Sequence, residues 1–208
     1  MSNKKKTACT VWIVSGPSGS GKTSLCRALL LDAAWKKRLL RSVSYTSRPA
    51  RRGEKDGKDY RHVSEKGFLA LKKRGGFLES EKIFGYYYGT PKKGLADARR
   101  EKKDLLLCID VKGARTIKRA LKDNVASIFI VAPKLEVLTE RLYKRSTEGK
   151  KDIQKRLKRV KMELSYARDY DYIVINDDFG KALGEIKAIL TAKSCEGGYV
   201  LHSFGKTY

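Results

Sequence analysis

The octapeptide Gly16-Pro17-Ser18-Gly19-Ser20-Gly21-Lys22-Thr23 constrains this chain more than any other feature. It fits the pattern of a glycine, four residues, then Gly-Lys-Ser/Thr. The glycines let the backbone curl with positive φ and approach a ligand without a Cβ clash. Successive N–H groups then form an anion nest, with the positive end of the following helix behind it. In such a loop Lys22 reaches the β- and γ-phosphate oxygens, and the Thr23 hydroxyl holds a magnesium ion. The eight residues are therefore candidates to bind a nucleoside triphosphate, with Thr23 as the protein's magnesium ligand. A bare glycine turn between strand and helix is the plain alternative, but it does not require Lys-Thr at its end.

The flanks supply the context that the motif needs. Residues 10–15, Thr-Val-Trp-Ile-Val-Ser, form an apolar, β-branched run of the kind that makes a buried parallel strand. Residues 23–34 place Leu25, Ala28, Leu29 and Ala33 near helical spacing. Further strands are expected over 104–111, 126–132 and 171–176, and helices over 113–121, 135–144, 153–168 and 181–192. Strands alternating with helices predict an α/β fold: a parallel sheet flanked by helices, with ligands gathered at the carboxyl ends of the strands. The phosphate loop, Asp110 and Asn176 all fall at such ends.

The chain has 208 residues, enough for a full core as a single domain. No apolar stretch reaches the length of a membrane span. The basic start, Met1-Ser2-Asn3-Lys4-Lys5-Lys6, runs straight into the loop, so removing it as a signal peptide would destroy the site. A cytoplasmic location is expected. Cys9, Cys26, Cys108 and Cys195 form no C-x-x-C pair, and His62 and His202 stand alone. The expected role of the cysteines is as reduced, small apolar residues rather than as a metal site or disulfide framework. The net charge of +24 attracts polyanions. No basic stripe is interleaved with aromatics, so no specific nucleic-acid partner is expected. Runs such as Lys155-Arg156-Leu157-Lys158-Arg159-Val160-Lys161 are expected to be solvated helix faces.

Residues 41–98 break the strand–helix rhythm and carry a series of specific segments. Ser44-Tyr45-Thr46-Ser47-Arg48-Pro49-Ala50-Arg51-Arg52-Gly53-Glu54 leads to Asp56-Gly57-Lys58-Asp59-Tyr60. Gly76-Phe77-Leu78-Glu79 and Phe84-Gly85-Tyr86-Tyr87-Tyr88-Gly89-Thr90-Pro91 follow. Beyond the insert come Cys108-Ile109-Asp110-Val111-Lys112-Gly113 and Val174-Ile175-Asn176-Asp177-Asp178. In order and spacing this series resembles the guanylate kinase family, from about residue 8 to 192.

The resemblance implies a P-loop nucleoside monophosphate kinase fold that moves a phosphoryl group from ATP to GMP, with dGMP as a further expected acceptor. It implies one domain with its core at about 8–43, 99–140 and 157–192, a GMP-binding lobe at 44–98, a mobile lid at 141–156 and a C-terminal extension at 193–208. Arg48 and Arg51 suit the acceptor phosphate as planar forks, and Tyr60 and Tyr88 add uncharged hydroxyl donors. Glu79 is the candidate guanine reader, because a carboxylate accepts from both N1–H and the 2-amino group. Ser44, Thr90 and Asp110 complete the GMP pocket in the family pattern, and Asn176 and Asp177 join the ATP side. Arg141, Arg145 and Arg156 match the lid arginines. With Lys22 and Arg48 they are the expected catalytic set, which aligns and neutralises two anions without a protein base.

Taken singly, each arginine also reads as a surface residue, Glu79 as a solvated acid, and Tyr86–Tyr88 as a half-buried strand. Two departures stand out. The family usually has aspartate where this chain has Cys108, a poor magnesium ligand, and glycine where it has Ser146. Three other classes remain open on sequence: an interaction module without catalysis, a kinase for another monophosphate, and a basic nucleic-acid-binding ATPase. Oligomeric state is not readable from these residues.

Overall fold

Every residue of β1 (Val11–Ser15) is buried, because both faces of the sheet to which it belongs are covered. Trp12 and Val14 point to one side and pack with Leu25 and Leu29 of α1 (Lys22–Leu31) and with Ile186 and Leu190 of α8 (Phe179–Ser194). Val11 and Ile13 point to the other side, against Leu95 and Ala98 of α4 (Lys92–Arg100) and Ala114 and Ile117 of α5 (Val111–Leu121). A period of two on the strand thus feeds two apolar cores. The computed structural model describes residues 9–51, 53–145 and 150–196, with side chains except at 123, 142, 144–145 and 150–156.

β1 lies between β7 (Asp104–Cys108) and β8 (Val125–Val131), with β2 (Leu39–Arg41) outside β7 and β9 (Tyr172–Ile175) outside β8. All four pairings are parallel. The connections from β1 and β7 therefore depart to opposite sides. The crevice beyond the carboxyl end of β1 is the place where such a sheet takes a ligand. Asp104 fixes the opposite end, accepting from the Thr10 backbone N–H at 2.8 Å and from Trp12 Nε1–H at 3.1 Å.

The insert forms a second sheet, ordered β4 (Arg61–His62), β3 (Tyr45–Thr46), β6 (Tyr86–Pro91), β5 (Phe77–Ile83), with α3 (Glu65–Lys73) against it. Its small core stacks Phe68 between Phe77 and Tyr87, with ring centroids 4.6 and 5.3 Å apart. The lobe expected to run to residue 98 gives way earlier, since Leu95 and Ala98 pack on the main sheet. The helix expected over 23–34 also breaks. Asp32 leaves helical geometry at ψ 126° and caps a new helix, α2 (Ala33–Arg38), accepting from Ala34 and Trp35 N–H groups. After β8 come α6 (Leu135–Arg145) and α7 (Lys150–Ser165). The loop at 146–149, the basic start at 1–8 and the tail at 197–208 lie outside the described residues. Among the described residues no helix is long and apolar enough to cross a membrane.

Candidate active site

The strand–loop–helix at β1–α1 makes a tight anion cradle. Gly16 has φ +142°, and a Cβ there would meet the Ile130 carbonyl oxygen at 2.0 Å. Neither backbone can retreat, because both strands are buried. Gly16→Ala is expected to lower stability by about 3 kcal/mol and to abolish nucleotide binding, measured by urea unfolding and by calorimetry with ATP. Lys22 lies across the loop, its Nζ donating to the Gly16 and Pro17 carbonyls at 2.6 and 2.7 Å. Burial pulls its pKa below the ordinary lysine value, so an anion in the cradle gains a partner whose charge is poorly hydrated.

Asn176 is expected beside the nucleotide but sits beneath the loop. It is buried, and its Nδ2 donates to the Ser20 carbonyl at 2.7 Å, stapling the cradle to the end of β9. Asp177 is exposed and accepts from the Asp178 N–H at 2.7 Å. Arg141 reaches the loop from α6, with Nη1 at 3.4 Å from the Gly19 carbonyl. The side chains of Arg145 and Arg156 lie outside the described residues.

Cys108 departs from the expectation of a small apolar residue. Cys9 and Cys26 are buried in the two cores, whereas Cys195 is exposed and Cys108 is half-buried and lines the cleft. A hydrogen bond from the Cys26 thiol lowers the Cys108 pKa, with help from Lys22, Arg41 and the Thr23 hydroxyl, while Cys26 itself is raised.

The same cleft continues into the lobe, where Ser44, Arg51, Tyr60, Glu79 and Tyr88 line it together with Asp110. Glu79 is 7% exposed and its Oε1 accepts from the Thr90 hydroxyl at 2.5 Å. Thr90 is fully buried, so it orients Glu79. The other oxygen lies over α5, where a Cβ at Gly113 would approach it to 2.7 Å. Asp110 caps that helix, accepting from the Gly113 N–H at 2.9 Å. Burial pushes the Glu79 carboxyl up to about 7, and the Asp110 and Glu81 carboxylates add to the rise against the Thr90 hydrogen bond. Burial likewise pushes Tyr60 to about 12, which keeps its hydroxyl a donor.

Arg48 is not a free fork at the cleft. It is 8% exposed and lies behind the tyrosines. Nη2 donates to both oxygens of Glu54 at 2.8 and 2.9 Å, Nη1 to the Pro49 carbonyl at 2.7 Å, and Nε to the Tyr88 hydroxyl at 3.1 Å. With Tyr88 accepting from behind, its own O–H is directed elsewhere. Glu54 thus organises two arginines, since it also accepts from the Arg51 N–H at 2.8 Å. Sequence reasoning passed over it, although Arg-x-x-Arg-x-x-Glu spacing in a loop offers an acid to the arginines. It also missed Asp59, buried and paired with Arg27 of α1, which ties the lobe to the helix behind the phosphate loop. Arg159, expected on a solvated helix face, instead enters the cleft with Glu163.

A phosphate cradle and a buried acid thus share one cleft, and comparisons with known proteins give it a family. The guanylate kinase family model matches residues 8–193. A guanylate kinase of Caldanaerobacter subterraneus subsp. tengcongensis is 42% identical over 183 residues, covering 88% of this chain and 87% of that one. One from Pseudomonas fluorescens is 41% identical over 197 residues, covering 95% and 94%. The crystal structure of guanylate kinase from Anaplasma phagocytophilum superposes with a TM-score of 0.75 at 32% identity, covering 92% of this chain and 89% of that one. Sequence and fold agree over nearly the whole described chain, cradle and inserted lobe included: it belongs to the guanylate kinase family.

Proposed function

We propose that this chain transfers the γ-phosphoryl group of ATP to GMP, giving ADP and GDP. The observation that carries the reading is Glu79, a buried acid on the wall of the cleft that begins at the phosphate loop. Ionised, it offers acceptors to N1–H and the 2-amino group of guanine, a donor pair that adenine lacks. Thr90 holds one of its oxygens and Gly113 leaves room for the other.

Arg51, Tyr60 and Tyr88 bind the GMP phosphate, with Arg48 and Glu54 fixing their positions. The attacking oxygen belongs to that phosphate and is already an anion, so no side chain removes a proton. Lys22 and Arg141 bring positive charge to the donor phosphates and align the two anions. Asn176 holds the cradle in shape.

The Thr23 side chain lines the cleft beside the phosphate loop, one hydroxyl next to an anion cradle. That donor set fits magnesium, which keeps most of its waters and takes few protein ligands beside substrate phosphates. The Thr23 hydroxyl would hold it, and Cys108 would not. When bound, the ion supplies charge neutralisation at the β- and γ-phosphates.

The test is ADP release with magnesium and ATP across GMP, dGMP, AMP, CMP and UMP. Turnover confined to the guanine nucleotides is expected, and absence of GMP-dependent release overturns the reading. The pH dependence of the same assay reports on Glu79. The buried acid must ionise to accept from guanine, so the KM for GMP is expected to fall as pH rises through about 7. Stability runs the other way. Between its ordinary value and about 7, the folded protein holds a proton that the unfolded chain releases, so this group's contribution is lost as pH rises across that window. Thermal unfolding at pH 5 and pH 8, without nucleotide, measures it.

A further inference from the structure

Arg159 of α7 is the most engaged cation of the cleft that the expected catalytic set leaves out. Its side chain is 16% exposed. Nε donates to Glu163 Oε1 and Nη2 to Asp110 Oδ2, both at 2.8 Å. Its guanidinium carbon lies 5.3 Å from the centre of the Phe84 ring. One planar group therefore touches three parts of the molecule: its own helix, the capping residue of α5, and the tip of the β5–β6 hairpin in the lobe.

The contact with Phe84 is not core packing, because Phe84 is 52% exposed. Phe84 also has φ +49°, a left-handed conformation that bulky side chains avoid. The two-residue turn Phe84-Gly85 requires it, since Gly85 is also left-handed at φ +84° and Ile83 pairs with Tyr86. The turn thereby presents the Phe84 ring at the hairpin tip, where Arg159 lies on its face.

Charge gives a second, independent reason. Glu79, Glu81, Asp110 and Glu163 all line a cleft that must admit a phosphate. Arg159 is paired with two of them. Glu163 Oε2 has no hydrogen-bond partner among the described residues, so without Arg159 the acid would be left buried and unpaired.

We propose that Arg159 is a positioning residue for the acceptor nucleotide: it pins Asp110 beside Glu79 and draws the Phe84 hairpin tip across the cleft. The inference rests on the GMP reading above. Arg159 acts through Asp110 and Phe84 and need not touch the reacting atoms. A lysine replaces it only in part, because a point charge lacks both the second arm of the fork and the flat face.

Calorimetry of GMP and of ATP binding, with steady-state kinetics, tests this in wild type, Arg159→Ala, Arg159→Lys and Phe84→Leu. Arg159→Ala is expected to weaken GMP binding and raise its KM about tenfold, with ATP binding and kcat within twofold of wild type. Arg159→Lys and Phe84→Leu are each expected to cost GMP about threefold. Losses of GMP and ATP binding in equal measure, or a fall in kcat with an unchanged GMP KM, would mean a merely structural role and overturn the proposal. Unchanged GMP binding in Arg159→Ala, in a protein whose wild type binds GMP, overturns it while leaving the guanylate kinase reading intact. Should the wild type bind no GMP, both fall together.

Discussion

Lys22→Met should lower kcat/KM for ATP by about a thousandfold while leaving GMP binding within a few-fold of wild type. The size follows from what removing one preorganised charge at a transferring phosphoryl group costs. Methionine keeps the stem and its packing, so loss of fold is not the cause. The ammonium is held by the Gly16 and Pro17 carbonyls at 2.6 and 2.7 Å. It is thus aimed before ligand arrives. Lys22→Arg should fail nearly as badly, because a planar fork does not fit between two carbonyls spaced for a compact ammonium. Coupled ADP release and calorimetry with ATP and GMP measure all three quantities. Retention of a tenth of the activity by Lys22→Met would remove the loop from the chemistry.

Glu79→Gln should reduce kcat/KM for GMP about a hundredfold with the KM for ATP unchanged. A carboxamide keeps one acceptor but turns an N–H toward a guanine donor. The loss is about 2 to 3 kcal/mol, that of a charged hydrogen bond. The same change should raise the unfolding midpoint at pH 8, because burial holds the Glu79 carboxyl at about 7 and glutamine carries no charge to desolvate. Gain in stability and loss of selectivity from one substitution is the pattern of a residue kept for function. If ATP affinity fell equally, or if the midpoint at pH 8 fell, Glu79 would be a structural acid instead.

Much of the sheet was legible because buried parallel strands are continuous apolar runs. Val11–Ser15, Asp104–Cys108, Val125–Val131 and Tyr172–Ile175 all announce themselves in this way. β2, at Leu39–Arg41, did not, since three residues carry no period. The break at Asp32 was readable in principle as a cap, but the apolar spacing through Ala33 ran across it.

Within the site, composition and order name residues that the fold gathers around one cleft, but not which side chains face it. Arg48, Thr90 and Asn176 lie one layer back, each holding a residue or loop that lines it. Arg159 escaped notice for the opposite reason. A charged residue in a basic helix is usually solvated, and only the approach of Asp110 and Phe84 from distant parts of the chain makes it otherwise.

The carboxylate of Glu79 arrives on the lobe's β5, yet it rests on the first turn of α5, where Gly113 makes space and Asp110 stands alongside. On the proposed reading, base recognition is therefore written across a seam between two layers of the molecule, and neither layer holds a complete copy. A lobe transplanted onto another kinase would arrive without the floor that its reader rests on. Selectivity of that kind is not a portable cassette, and evolving it toward a new base would require changes on both banks of the seam at once.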